Sequence, residues 1–426
     1  MKNNNRIFLI YPEMDKASLF KMNRPLLPPL GLSFLAGYLN KNGYEVRIID
    51  NTVDNKTHND IALFINQWNP LLIGIQCLSV NFQSCLALTQ IIKKVSKFPI
   101  VIGGPHATVM SETLQKPYID FVCVGEGEET LLSLAISLKN ETNENIPGLW
   151  RNQNGWVFGG DRKWIANLDV IPHPARHLLT GSYTNRVAEL SAYPVLAVNS
   201  SRGCPFACTF CSVESMWGRQ YRSFSVDWIL EELNILKKMN VQGIYFYEDN
   251  FTFSAKRVME ICQGIQNKNY KFEWACEGRI GSVPLELLKE MKKAGCRLIK
   301  FGIESGSPKI LELMNKRINI DETIKTRELC KMAGIAFACF FMIGFPGETE
   351  EDRGLTLNFI RKLKPDQLVI GSFIPIPKSK TYQDLLITHD YDHIDSNCMI
   401  HYQKDRAALL QNWLARINRV WEEIKA

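Results

Sequence analysis

The chain has 426 residues, 46% of them hydrophobic and 22% charged, which is the length of two or three domains and the composition of an ordinary globular protein. Its net charge of +6 is mild for that length, and its lysine pairs, Lys93-Lys94 and Lys237-Lys238, fall in helical patterns, so charge does not point to a nucleic-acid partner. No run of about 18 apolar residues predicts a membrane span, and Met1–Arg6 has no signal-peptide layout. The expectation is a cytoplasmic chain whose twelve cysteines stay reduced, where grouped cysteines are ligands more often than disulfides.

Residues 1–140 alternate short apolar runs with helical patterns. Arg6–Pro12, Tyr44–Asp50, Leu71–Leu78, Pro99–Gly103 and Phe121–Val124 read as five strands, apolar throughout, as parallel strands covered on both faces are. Helical patterns lie between them at Leu30–Gly43 and near 58–68, 82–96, 107–115 and 127–139. The alternation predicts an α/β fold with an open, doubly wound parallel sheet of the flavodoxin-like or Rossmann kind. Such sheets take ligands beyond the carboxyl ends of their strands. Residues 141–190 are richer in Asn, Pro, Gly and Trp and read as a linker with a short hairpin.

Over 191–377 the alternation resumes. Val195–Ser200, Gly243–Glu248, Phe272–Gly278, Leu298–Ile303, Ala336–Gly344 and Gln367–Phe373 are strand candidates, with helices such as Ser225–Met239 and Thr349–Leu363 between them. Six β/α units predict a partial (β/α)6 barrel, with its chemistry at the carboxyl ends of the strands. Residues 378–426 form a short C-terminal segment ending in the amphipathic helix Arg406–Lys425, expected to act as a substrate-facing cap.

Cys204, Cys208 and Cys211 form a C-x-x-x-C-x-x-C run directly after the first of these strands. Three thiolates on one loop can ligate three irons of a cubane cluster, whose usual complement is four cysteines. The remaining iron is then open to hold a substrate directly. Structural zinc is the main competitor, but it wants four ligands, commonly in paired C-x-x-C units, and no second pair follows. The run His389, His393, Cys398, His401 has zinc-compatible spacing, but its polar stretch reads rather as a surface or substrate-facing segment. Cys77, Cys123, Cys276 and Cys339 lie in apolar strands and read as core.

With Phe210 ahead of the last cysteine, this loop resembles the signature of the radical S-adenosylmethionine (radical SAM) superfamily. The resemblance implies a [4Fe–4S] cluster on Cys204, Cys208 and Cys211. It also implies S-adenosylmethionine at Phe210, at Glu248 and Asp249 (methionyl amine), at Arg279 (carboxylate), at Glu304 and Ser305 (ribose and carboxylate), and at Gly344 and Pro346 (adenine). Taken alone, Glu304 could equally cap the following helix, and Gly344–Gly347 could be only a turn.

The first domain is similar to the cobalamin-binding domain fused to many radical SAM enzymes. The matching residues are Pro29–Leu32, Leu35–Leu39, Val46–Asp50, Gly74-Ile75, Gly103–His106 and Val124–Glu129. This implies cobalamin at Leu78, Ser79, Gly103, Gly104, His106, Gly125, Glu126 and Gly127; the competing reading is a vestigial sheet that binds no corrin. The D-x-H-x-x-G motif that supplies a histidine to cobalt is missing, so no histidine is expected below the metal, with His106 the one residual candidate.

Together the two halves imply a cobalamin-dependent radical C-methyltransferase, acting through a 5′-deoxyadenosyl radical and methylcobalamin. The alternatives are a radical dehydratase, cyclase or rearrangement enzyme without methyl transfer, or a non-catalytic cobalamin or redox-sensing module. The implied partners are a small-molecule or peptide substrate and a one-electron donor such as flavodoxin or ferredoxin.

Overall fold

A computed structural model describes residues 4–15, 27–181, 183, 187, 189–402 and 407–425. The chain divides into two compact units. One comprises Met1–Thr184 with Ser215–Trp217 and Ser396–Cys398, and the other Asn185–Glu214, Gly218–Asp395 and Met399–Ala426.

The first unit is built on β1 (Arg6–Tyr11), β2 (Glu45–Asp50), β3 (Leu72–Gln76), β4 (Ile100–Gly103) and β5 (Phe121–Cys123). These five are parallel in the order β2-β1-β3-β4-β5. That is the flavodoxin-like order, with its switch point between β1 and β3. Successive residues of β1 enter opposite cores. Ile7 and Leu9 join Leu32, Leu39, Leu131 and Leu134 on one face. Phe8 and Ile10 join Ile61, Ile65, Leu88 and Ile92 on the other. Burial on both faces is why the strands show no polar alternation in sequence. Helix His58–Trp68 starts where expected because Thr57 and Asp60 form a capping box.

Two details differ from the sequence reading. The hairpin expected in the linker exists as β6 (Leu149–Asn152) and β7 (Trp156–Phe158), but it continues the sheet, β6 pairing antiparallel with β5. The helix expected near 107–115 is two short turns, Pro105–Val109 and Ser111–Leu114, because Met110 leaves helical geometry.

In the second unit, β8 (Val195–Val198) leads into a short antiparallel pair, β9 (Ser201–Arg202) and β10 (Arg222–Ser223). Then come β11 (Gly243–Phe246), β12 (Glu273–Gly278), β13 (Cys296–Glu304), β14 (Ala336–Ile343) and β15 (Gln367–Ser372). The six-stranded sheet runs β8-β11-β12-β13-β14-β15, all parallel and in chain order, as six consecutive right-handed β/α units require. On β13, Ile299, Phe301 and Ile303 are fully buried, while Lys300 and Gly302 on the opposite face are half-exposed. The last helix spans Ala407–Lys425; Arg406, its expected start, lies outside the described residues. Among the described residues, no helix is long and apolar enough to cross a membrane.

Phe301 stacks on Phe337 with centroids 4.8 Å apart, both fully buried. Phe301→Ala should cost about 3–5 kcal/mol. Val369→Ala, at a position 40% exposed on β15, should stay within about 0.5 kcal/mol. Thermal melts of the two variants check the contrast.

Candidate functional site

The cysteine loop begins where β9 ends, with Gly203 at φ +87°. The Gly203 N–H donates to Asp249 Oδ2 at 3.0 Å. The Cys211 N–H donates to the Cys208 carbonyl at 3.1 Å, drawing the last two cysteines into one tight turn. All three thiols are free and half-buried. Burial pushes the Cys204 thiol up and the Cys211 thiol up to about 12. Thiols in that setting become thiolates only when a cation takes the charge, as coordinated iron does. The loop therefore fits a cluster. Among the described residues, no three His, Cys, Asp or Glu side chains gather closely enough for a single metal ion. A cubane does not require that, because each cysteine takes a different iron.

The strand ends around the loop carry the other expected residues, and their partners sort them. Glu248 accepts hydrogen bonds from the Ser200 N–H, from the Ser200 hydroxyl at 2.8 Å and from the Ser201 N–H at 2.8 Å. Its carboxylate thus fixes the turn that leads into the cysteines. Burial raises the carboxyl of Asp249, the neighbouring residue. Arg279 lies flat on Phe206, 3.8 Å from the ring centroid. Its Nη1 is 3.9 Å from Cys208 Sγ, and its Nη2 donates to the Lys316 carbonyl. The guanidinium, expected at a methionyl carboxylate, lies beside the Cys208 sulfur.

Glu304 follows a bulge in β13 and has φ +75°. Its Oε1 is 2.7 Å from Lys316 Nζ, and both side chains are 9% exposed. Lys316 Nζ also lies 5.5 Å from the Phe210 ring. Phe210 packs against Ile310, Met314, Phe345 and Phe373. Ser305 is engaged by Thr356 Oγ1 at 3.2 Å and by the Ser307 N–H at 3.1 Å. Gly344, at φ +85°, donates its N–H to Glu348, which pairs with Arg353 at 3.2 Å. Pro346 is half-buried in the same turn. This end of the sheet offers a polar, water-restricted rim suited to an amino-acid moiety and a nucleoside.

In the first unit, Gly103 closes β4, and Leu78, Ser79, Gly104, His106, Gly125, Glu126 and Gly127 follow the carboxyl ends of β3, β4 and β5. The Leu78 N–H donates to Asn81 Oδ1 at 2.8 Å. His106 is fully buried and stacked on Phe82 at 4.4 Å. Its ring nitrogens sit 2.9 Å from Ser79 Oγ and 3.0 Å from Thr113 Oγ1. Both nitrogens are thus engaged by hydroxyl groups, in keeping with the expectation that no histidine sits below the metal. Glu126 accepts from the Ile165 N–H at 2.8 Å. A Cβ at Gly125 would lie 3.5 Å from the Trp164 ring, and one at Gly127 3.1 Å from Leu35. A Cβ at Gly103 would meet Cys123 at 3.5 Å; at Gly104, φ +104°, it would meet the Cys77 carbonyl at 2.9 Å. Gln76, ending β3, has a buried side-chain oxygen with no hydrogen-bond partner. A Cβ on Gly31 would come within 3.9 Å of that amide. An orphaned acceptor beside bare glycine backbone fits a ligand rich in amide donors, such as a corrin.

Gln76 and Lys316 were not legible from the sequence. Gln76 reads as one polar residue closing an apolar strand, and Lys316 as a surface lysine in a polar turn.

Comparison with known proteins supports both halves. The model of the Radical SAM superfamily matches residues 198–360, and that of the B12 binding domain matches residues 24–135. The chain is 32% identical to an uncharacterized methyltransferase of Pyrococcus horikoshii, over 91% of this chain and 85% of that protein. It is 26% identical to the anaerobic magnesium-protoporphyrin IX monomethyl ester cyclase of Rubrivivax gelatinosus, over 84% of this chain and 66% of that protein. The fold is similar to that of TsrM, a radical S-adenosylmethionine methyltransferase of Kitasatospora setae solved with cobalamin and a [4Fe–4S] cluster. The TM-score is 0.75 at 18% identity, covering 90% of this chain and 75% of that one.

Burial depresses the His106 imidazole from 6.5 to about 4. Its folded value lies below its unfolded one, so its contribution to stability is full above pH 6.5 and is lost as pH falls toward 4. His106→Asn should flatten the pH dependence of the melting temperature in that window. An unchanged slope would mean that His106 is not buried neutral.

Proposed function

We propose that this chain, which belongs to the radical SAM superfamily and carries a B12-binding domain, is a cobalamin-dependent C-methyltransferase acting on an unactivated carbon. The observation that carries the reading is the loop of three half-buried free thiols with the Arg279 guanidinium at Cys208 and the buried Lys316–Glu304 pair beside it. When bound, the cluster, S-adenosylmethionine and cobalamin supply reductive cleavage, hydrogen abstraction and methyl carriage, while the protein supplies binding and orientation.

In this reading residues 1–140 serve cobalamin and residues 191–377 serve the cluster and S-adenosylmethionine. Cys204, Cys208 and Cys211 hold iron. Asp249 takes the methionyl amine, and Lys316 with Glu304 takes the polar end of S-adenosylmethionine. Glu248 and Ser305 keep the loops in place, and the turn at Gly344–Pro346 borders the adenine. Gln76 reads a corrin amide. The Phe210–Phe345–Phe373 packing keeps water from the loop. The substrate is a small molecule or a peptide, and flavodoxin or ferredoxin supplies the electron. The reduced cysteines suit a cytoplasmic setting. The match to a cyclase favours a second reading, a radical reaction without methyl transfer.

Anaerobic purification with cobalamin supplied, followed by reconstitution with iron and sulfide, tests the reading. We expect about four irons per chain, bound corrin, and formation of 5′-deoxyadenosine on reduction. Consumption of S-adenosylmethionine with S-adenosylhomocysteine as co-product supports methyl transfer. Its consumption to 5′-deoxyadenosine and methionine alone supports the cyclase-like reading, and no consumption at all supports a binding module. Cys204→Ala, Cys208→Ala or Cys211→Ala should each abolish 5′-deoxyadenosine while leaving corrin bound.

A further inference from the structure

The turn after helix Pro308–Leu313 touches the cysteine loop at several independent points. The Leu313 carbonyl accepts from Thr209 Oγ1 at 3.1 Å, and the Met314 carbonyl accepts from the Thr209 N–H at 3.0 Å. Asn315 Nδ2 donates to the Ala207 carbonyl at 2.8 Å. Together they hold residues 207–209, the stretch in which Cys208 sits. Met314 and Ile310 form part of the apolar seat of Phe210, between Cys208 and Cys211. Lys316 adds the buried ion pair to Glu304, lies over Phe210, and uses its carbonyl to receive Arg279, whose other nitrogen faces Cys208.

The backbone here is held against its own preference. Asn315 and Arg317 have φ of +49° and +52°, on either side of Lys316. Left-handed backbone at non-glycine residues is uncommon and persists where surrounding contacts over-determine it. The ion pair also packs against the bare backbone of Gly302. A Cβ there would come within 2.4 Å of Glu304 Oε1 and 2.8 Å of Lys316 Nζ. An isolated surface turn needs none of these provisions.

We infer that Leu313–Arg317 is a clamp that holds the cysteine loop in its cluster-receiving shape before iron arrives, with Asn315 and Lys316 as positioning residues. The inference rests on the reading of the loop as a cluster site. The clamp sets the spacing of the three sulfurs, and through Lys316 it aims Arg279 at one of them. An unclamped loop would have to be ordered by the cluster itself, so cluster retention would fall.

The test uses the full-length chain, reconstituted anaerobically, with iron release to EDTA followed by the loss of cluster absorbance. Asn315→Gly keeps the left-handed backbone available and removes the side-chain bond to Ala207, together with an exposed one that Arg317 Nε donates to Asn315 Oδ1. It should release iron about fivefold faster, the effect of losing one ordinary hydrogen bond. The paired change Lys316→Met with Glu304→Gln removes the ion pair without leaving a lone buried charge. It should release iron about tenfold faster or more and broaden the EPR signal of the reduced cluster. The melting temperature of the iron-free protein reports the fold. Release rates and EPR signals equal to the parent's, with the melting temperature preserved, would overturn the clamp. Should the paired variant fail to fold, Asn315→Gly decides alone. A parent protein that retains no iron would instead sink the cluster reading itself.

Discussion

The sulfurs of Cys204 and Cys211 are half-buried on one short loop, where an anion is costly unless positive charge stands next to it. This constraint organises the second unit. Burial lifts Cys204 and Cys211 away from ionisation. The Arg279 guanidinium stands at Cys208, and the Lys316 ammonium lies over the ring of Phe210 in the same loop. Neither cation is left loose. Arg279 is stacked on Phe206 and tied to a carbonyl, and Lys316 is paired with Glu304. A buried ion pair gains little net stability over an apolar substitute of the same shape. Its presence at this point therefore speaks for placement of charge rather than for holding the fold together.

The carboxylates at the same strand ends follow a complementary logic. Glu248 receives two backbone N–H groups and a hydroxyl ahead of the cysteine loop. Glu348 receives the Gly344 N–H and the Arg353 guanidinium beyond β14. Each is deeply buried, and in each desolvation outweighs its partners so that the carboxyl is raised. Groups placed this way act as internal rivets for loops that have no regular hydrogen-bonding ladder. The residues left to meet a ligand are fewer than the polar composition of the strand ends suggests.

Much of the architecture was legible because burial on both faces writes apolar runs into parallel strands. Every one of the eleven predicted strands has a counterpart within a few residues. The cysteine loop was legible for a different reason: ligand spacing on a single loop is a local property. What the sequence hid depends on contacts far apart along the chain. Glu248 and Asp249 are neighbours in sequence, and nothing in their order says that one is taken up by Ser200 and Ser201. His106 sits in the expected region, yet only its packing against Phe82, Ser79 and Thr113 shows that its ring is occupied. Lys316 lies 105 residues beyond Cys211 in a turn of unremarkable composition, and its role emerges only when β13 brings Glu304 beneath it.

The bare backbone at Gly302 has an evolutionary consequence. Positions 302, 304 and 316 share one small volume, so a change at one is felt at the others. A methyl group at 302 would make both ends of the ion pair shift, and a shortened side chain at 316 would take this partner from the carboxylate at 304. Homologues of this chain should therefore tend to change the three positions together. Such a coupled trio is inherited like a single residue, although its members are spread over fifteen positions of the chain.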